Sequence, residues 1–168
     1  MFAVLLSATA ILAQTTWKAD KVHSHVGFSV THLLISEVTG RFGDFDATIV
    51  ASKEDFSDAT IEATIKTASL STDNDYRDKH VKSDDFLNAE KFPVITFKST
   101  KVEKDTNGNL KITGDLTLRD VTRPVVLDAK YNGRVKMGDN TRAGFKATTT
   151  IDRFEFGVKW NKAIETGG

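Results

Sequence analysis

Apolar and polar residues alternate along most of the chain, with the period of two that is typical of a strand with one buried face. The pattern predicts seven strands. The central part of this pattern is the sequence 114–127, in which two alternating runs flank residues typical of a hairpin turn. We predict its turn at Asp120–Pro124, because proline has no N–H to donate and favours extended geometry in the preceding residue. In chain order, the predicted strands span residues 24–31, 38–50, 59–66, 95–103, 110–118, 125–131 and 142–151.

Turn and bulge signals separate these strands. In the second strand the apolar phase changes at Gly43–Asp44, which predicts a β-bulge and a bend. Asp105–Gly108 contains Asn-Gly, a strong hairpin signal, and Asn132–Gly133 repeats it. A further loop is predicted at Met137–Asn140. Short turns of this kind favour antiparallel pairing between consecutive strands.

One long segment, Ser69–Phe92, breaks the alternation. Asp73 or Asn74 has the side chain to cap a helix that runs to about Val81, and Ser83 or Asp84 to cap a second short helix. The segment is polar and charged. We therefore predict a helical excursion between the third and fourth strands.

The predicted fold is all-β: one domain with an antiparallel, up-and-down β-barrel and this excursion. The length of 168 residues suits one domain with a sizeable core. A barrel of about eight strands has a lumen that is either filled by side chains or holds one small ligand.

Small residues among the inward positions bear on this choice, because they leave volume that larger side chains would occupy. A filled taper of small and large residues and a slender apolar tunnel both remain open. The residues expected to line the lumen or touch a ligand are Val26, Phe28, Val30, Phe42, Phe45, Ile61, Ala63, Ile65, Ile95, Phe97, Gly114, Leu116, Leu118, Val125, Leu127, Ala129, Phe145, Ala147, Arg153 and Trp160.

Composition narrows the function. The 23 basic and 23 acidic residues give zero formal net charge, which argues against a nucleic-acid surface. The 11 phenylalanines outnumber two tyrosines and two tryptophans, which favours buried apolar lining over wet recognition surfaces. The chain has no cysteine, so no disulfide reports on its compartment.

The N-terminal residues 1–13 form an apolar run that is too short to span a bilayer. The run is similar to the core and cleavage regions of a secretory signal, with Ile11 and Ala13 before the cleavage point. We expect a signal-peptide remnant followed by a domain over residues 14–168, in the periplasm or outside the cell. A buried N-terminal strand or helix is the alternative.

No catalytic motif is present: the chain contains no Gly-x-Ser-x-Gly and no glycine-rich phosphate loop. The histidines are the residues that suggest metal chemistry, since His23 and His25 share a strand face and His32 or His80 would complete a site. Ordinary hydrogen-bonding histidines are the favoured reading. Arg153 is suited either to a polar head group or to a structural ion pair.

Several spaced motifs together resemble the YceI-like family, lipocalin-like polyisoprenoid-binding proteins of bacteria. They agree in order from about Trp17 to about Trp160. The motifs are Trp17-x-x-Asp20-x-x-His23-Ser24 with Phe28 and His32, Gly40-x-Phe42, Arg77-Asp78-x-His80, Phe92-Pro93-x-Ile95-x-Phe97-x-Ser99, 114–118, 121–125, Gly144-Phe145-x-Ala147 and Ile151-x-Arg153-x-x-Phe156-Gly157.

The resemblance implies an exported eight-stranded barrel that holds an isoprenoid or similar amphiphilic lipid, such as a quinone or prenyl lipid, without catalysis. Carriage, storage and stress protection all remain open as roles, as does a filled-core structural module. No cofactor is expected beyond the lipid. Transient membrane contact and a homodimer are left open.

Family members continue into a final strand that is missing here, where the sequence stops at Thr166–Gly168. We therefore expect a barrel that is open or strained between the first and seventh predicted strands, or that swaps with a neighbour.

Overall fold

A computed structural model describes residues 13–32 and 35–160, except for the side chain of His32. Its strands form two antiparallel sheets. A sheet of seven has the order β1-β4-β5-β7-β8-β9-β10, and a sheet of three has the order β2-β3-β6. The strands are β1 Thr15–Lys18, β2 Val26–His32, β3 Ser36–Phe42, β4 Phe45–Ala51, β5 Thr60–Lys66, β6 Leu70–Ser71, β7 Val94–Lys104, β8 Leu110–Leu118, β9 Val121–Met137 and β10 Asn140–Thr148.

The large sheet curls into a half-barrel, and the predicted all-β antiparallel fold is confirmed. Six of the predicted strands coincide with β2, β5, β7, β8, β9 and β10 to within a few residues at most of their ends. The helical excursion is also confirmed: α1 spans Asp75–Lys82, and the Asn74 side chain caps it by accepting from the Arg77 N–H. Within the described residues, no helix combines the length and apolar character needed to cross a membrane.

The second predicted strand is wrong as a single bulged strand. Residues 38–50 divide into β3 and β4, which belong to different sheets and meet at Gly43–Asp44. The change of apolar phase therefore marks a corner between sheets, at which the chain turns its apolar side from one layer to the other.

Two predicted turns are also displaced. The β8–β9 hairpin turns at Arg119–Asp120, with Arg119 at φ 58°, and Pro124 lies inside β9. Asn132–Gly133 makes no turn, because β9 continues through it to Met137. The register with β10 passes directly from Gly133–Gly144 to Tyr131–Phe145, so Asn132 is the extra residue of a β-bulge in β9, next to Gly133 at φ 105°.

Three further elements differ from the prediction. β1 was not predicted as a strand, although Thr-Thr-Trp is rich in strand formers. The second short helix after α1 is replaced by turns over residues 84–91. β10 ends at Thr148, three residues short of its predicted end. The signal-peptide expectation concerns residues 1–13, nearly all of which lie outside the described residues.

The first and seventh predicted strands, β2 and β10, belong to different sheets in the described residues. In the described part of the chain, β2 pairs with β3 and β10 pairs with β9, and no ladder joins β2 to β10. The described residues thus form a half-barrel whose outer strands β1 and β10 share no ladder, and an open barrel of the whole chain stays a prediction. The swapping alternative is a prediction that one chain does not test.

A buried carboxylate anchors α1 to the end of β6. Asp78 is 8 % exposed and accepts hydrogen bonds from the Thr72 N–H at 2.8 Å and the Thr72 hydroxyl at 2.6 Å. Arg77 adds bonds from its guanidinium to the Thr72 hydroxyl and carbonyl oxygens at 2.7 and 2.8 Å. Chiefly because the Thr72 hydroxyl donates to its charged form, the pKa of Asp78 lies below its ordinary value.

We expect Asp78→Asn to lower the free energy of unfolding by about 1–3 kcal/mol at pH 7, because the bonds to Thr72 lose their charge. With a folded pKa below the unfolded value of 3.8, the Asp78 contribution is present above that pH and disappears as the pH falls below it. Urea unfolding at pH 7 and pH 3 therefore shows a smaller loss on acidification in the variant. Asp84→Asn, which changes an exposed carboxylate, is the control. Equal behaviour of the two variants contradicts the assignment.

Candidate functional site

The concave face of the large sheet is apolar and its convex face is polar. Along β5, the apolar residues Ile61, Ala63 and Ile65 are half-buried while the polar residues between them are exposed. On the convex side, directly opposed residues pair across strands, as Lys98 does with Glu62 at 2.9 Å. The alternation seen in the sequence therefore identifies the inner face correctly.

Register places one row of small and apolar residues across the middle of this face. Ala47 on β4 lies opposite Ala63 on β5, and Ala63 lies opposite Phe97 on β7. The row continues through Leu116 on β8 to Arg123 on β9. Ala47, Ala63 and Leu116 are only half-buried, so solvent reaches the row. We call these five residues the central row.

The concave face is closed at one end by Phe56, which is 2 % exposed. Its ring meets those of Trp17 at 5.5 Å, Tyr131 at 5.1 Å and Phe145 at 4.8 Å between centroids. Trp17 lies on β1 and Phe145 on β10, the two outer strands of the sheet. Phe56 therefore joins both edges of the curled sheet.

The loop that carries Phe56 is fixed by two carboxylates. Asp58 accepts from the Ser52 and Lys53 N–H groups at 3.0 and 3.1 Å. Asp55 accepts from the Ser57 N–H at 3.1 Å and lies 3.3 Å from Lys104 Nζ. The bonds from Ser57, with help from Lys104, lower the pKa of Asp55 to about 2. These contacts hold Phe56 in place despite its left-handed φ of 58°.

The other end of the concave face is formed by a second apolar cluster around Phe156, with Ile95, Leu118 and Val158. Beside it lies a groove of about 310 Å³, where residues 149–152 leave the edge of β9. Arg123, Val125, Ile151 and Phe156 line this groove together with acidic residues of the last described segment.

Many of the expected lumen residues lie on the concave face or in these two clusters. The small sheet contributes Phe42, which touches the second cluster, and Phe28, which packs on Phe42 at 5.8 Å. Val26 lies half-buried opposite Phe42, whereas Val30 is 46 % exposed. Of the remaining expected residues, the buried ones are Phe45, Ile95, Phe97, Gly114, Leu118 and Ala129; Ile61, Ala63, Ile65, Leu116, Val125, Leu127 and Phe145 are half-buried, and Ala147 is exposed.

The argument from small residues is wrong at Gly114. A Cβ there would lie 2.5 Å from Cζ of Phe97, so the phenylalanine ring already fills the space that the glycine leaves. Ala59 and Ala129 are likewise covered, within the first cluster. Solvent still reaches two small residues of the expected set: Ala63 in the central row is half-buried, and Ala147, opposite Ala129, is exposed.

Arg153 and Trp160 have structural contacts. The Arg153 guanidinium donates to the carbonyl oxygens of Val158 at 2.9 Å and Trp160 at 2.7 Å, and it lies over the Phe154 ring. These contacts give the Arg153 guanidinium protein partners that are neither a ligand head group nor an ion pair. Trp160 packs against His80 and Phe86, at 5.0 Å from each.

The histidines also have local partners. His23 lies 3.0 Å from Asp20, and His80 lies 2.9 Å from Asp85. No three histidine, aspartate or glutamate side chains are grouped for a metal ion among the described residues.

Two residues of the central row were missed from the sequence, Ala47 and Arg123. Ala47 is in phase with Ile49, which was a visible signal. Arg123 is in phase with Val125, but the misplaced turn at Asp120–Pro124 took it out of the strand. A strand prediction that starts at Val121 recovers it.

Comparisons with known proteins agree with this architecture. The model of the YceI-like domain matches residues 17–168. A UPF0312 protein of Shewanella denitrificans is 40% identical over 166 residues, covering 95% of this chain and 87% of the relative. The crystal structure of a YceI protein of Campylobacter jejuni is 40% identical with a TM-score of 0.67, covering 83% of this chain and 82% of that chain. BcnA of Burkholderia cenocepacia has a similar fold, with a TM-score of 0.72 at 21% identity over 84% of this chain and 86% of that chain.

Because Phe56 joins both edges of the sheet, we expect Phe56→Ala to lower the free energy of unfolding by about 3–5 kcal/mol. Phe154→Ala is the matched control, since Phe154 is 46 % exposed and its main described contact is with Arg153. It should cost less than about 1 kcal/mol. Urea unfolding followed by circular dichroism measures both, and equal losses would contradict the role of Phe56.

Proposed function

The chain belongs to the YceI-like family, and from that premise we propose that it binds an isoprenoid or similar amphiphilic lipid, such as a quinone or prenyl lipid. The observation that carries the proposal is the central row, in which the half-buried Ala47, Ala63 and Leu116 form a concave apolar stretch that solvent reaches. A soluble probe molecule with a flexible apolar chain would lie along this row and replace the water there.

The energetics favour such a ligand. Each buried CH₂ group contributes about 0.8 kcal/mol, so one five-carbon isoprene unit gains roughly 3–4 kcal/mol before binding costs. The ring of Phe97 within the row and the Phe56 cluster beside it give a rigid wall against which a chain packs. A few units therefore give tight binding.

Binding without catalysis is part of the proposal, as is action in the periplasm or outside the cell. The lipid would be carried, stored or kept as protection against stress. Transient contact with a membrane would supply or receive it, and a homodimer would cover the outer strands of the half-barrel. These statements extend the resemblance to the family.

A filled-core structural module is the second candidate. The observation that favours it is the Phe97 ring over Gly114, which fills one part of the inner face with the protein's own side chain. Native mass spectrometry of the protein purified from its own host separates the two candidates. A bound mass of a lipid supports the first, and protein that carries no such mass after extraction under mild conditions supports the second.

We expect Ala63→Phe to weaken binding of a farnesyl-chain probe at least about tenfold, which corresponds to about 1.4 kcal/mol. The added ring occupies the space over the central row that the chain requires. Thr64→Phe is the matched control, because Thr64 is the next residue of β5 and is exposed on the convex face.

Titration by tryptophan fluorescence measures both affinities, and circular dichroism checks that each variant folds. Ala47→Leu gives a second, smaller obstruction of the same row in case Ala63→Phe destabilises the sheet. Unchanged affinity in both row variants would refute binding at this face.

A further inference from the structure

Arg123 is a cation on the apolar face. β9 keeps one register with β8 over Val121–Ala129, so Arg123 shares the face of Val121 and Val125. It lies directly opposite Leu116 and is exposed. Within residues 13–32 and 35–160, its guanidinium has no hydrogen bond and no carboxylate within 4.0 Å. A donor of this kind at the end of an apolar row is available for a ligand.

The neighbouring arginines are different. Arg119 donates to the carbonyl oxygens of Phe86 at 2.9 Å and Gly157 at 3.1 Å. Arg153 donates to two backbone carbonyl oxygens of the last described segment. Both stabilise loops at this end of the sheet. Of these three arginines near the Phe156 end of the sheet, Arg123 is the one whose guanidinium donates to no backbone carbonyl group of the described residues.

The groove of about 310 Å³ beside Arg123 has two chemical parts. Val125, Ile151 and Phe156 provide apolar walls, and Arg123 provides the donor. The groove exists because β10 ends at Thr148 and residues 149–152 diverge from the β9 edge. Its volume lies at the lower end of the range for ligand pockets, about 300–1,000 Å³, which suits a head group rather than a whole long-chain lipid.

The charges around the groove restrict the head group. Asp152 and Glu155 line it together with Arg123. Asp152 uses one oxygen to accept from the Phe154 N–H at 2.8 Å, and it remains exposed. One cation and two carboxylates give the lining a net negative charge. A phosphate would be repelled, whereas an uncharged acceptor would still receive the guanidinium hydrogen bonds.

We propose that Arg123 binds an uncharged, carbonyl-bearing head group and so determines which amphiphile the concave face accepts. This inference rests on the proposed lipid-binding function and refines it. The head lies in the groove and the chain follows the central row from Arg123 to Ala47, across four strand spacings or about 19 Å.

Three probes with the same farnesyl-length chain test the proposal: the hydrocarbon farnesene, a ubiquinone with three isoprene units, and farnesyl phosphate. We expect the wild-type protein to bind the quinone at least about tenfold more tightly than either other probe, a difference of about 1.4 kcal/mol. Arg123→Met keeps an aliphatic side chain but removes the donors. It should abolish the preference for the quinone over farnesene.

Two further variants sharpen the result. Lys130→Met removes a cation from the convex face of the same strand and should change none of the affinities. Glu155→Gln removes one negative charge from the groove and should strengthen binding of farnesyl phosphate. Circular dichroism confirms that each variant folds.

The outcomes separate this inference from the proposed function. If farnesene binds and Arg123→Met leaves the quinone preference intact, or if farnesyl phosphate binds best to the wild type, the assignment of Arg123 is wrong while lipid binding stands. If no probe binds the wild-type protein, the lipid-binding proposal fails and the role of Arg123 fails with it.

Discussion

The need to cover one apolar sheet face without a second full layer determines most of this structure. A sheet with a dry face is stable when another element or its own curvature shields that face. Here the seven-stranded sheet curls, and Phe56 takes the place of the missing layer by touching side chains from β1, β9 and β10 at once. An ion pair between Arg142 and Asp20, at 3.3 Å, links the same two edges on the outside.

The two ends of the concave face consequently have different character. At the Phe56 end, aromatic rings and a loop fixed by Asp55 and Asp58 leave a dense, closed wall. At the Phe156 end, the β10 ladder stops early and polar groups reach the apolar surface. The polarity of the concave face therefore changes along the strand direction.

Much of this fold was accessible from the sequence because alternation is a strong and local signal. β5 and β8 were predicted to within one residue, and the Asn74 cap predicted the start of α1. Asn132–Gly133 failed because the same residues that favour a turn also tolerate a bulge, as Gly133 does at φ 105°. Pro124 was misread as a boundary, yet β10 ends before reaching it, so its missing N–H interrupts no β9–β10 ladder.

The candidate site was harder to predict than the fold. Periodicity tells which face a residue occupies but gives no information on what covers it. Gly114 and Ala63 have the same phase, and only the three-dimensional packing shows that Phe97 covers one while solvent reaches the other. Arg153 donates to backbone carbonyl groups of an irregular segment, and periodicity gives no information on such contacts. Nor does it show that the guanidinium of Arg123 has no hydrogen-bond partner within the described residues.

Within the described residues, one edge of β10 has no partner strand, which creates a risk of aggregation. Exposed backbone N–H and C=O groups can form hydrogen bonds with a strand of another molecule, which extends the sheet, and repeated addition leads to fibrils. Arg142 and Lys146 place charges along this strand, and the bulge at Asn132 in the neighbouring β9 distorts the strand pair. Electrostatic repulsion and a distorted backbone thus oppose self-stacking at this edge.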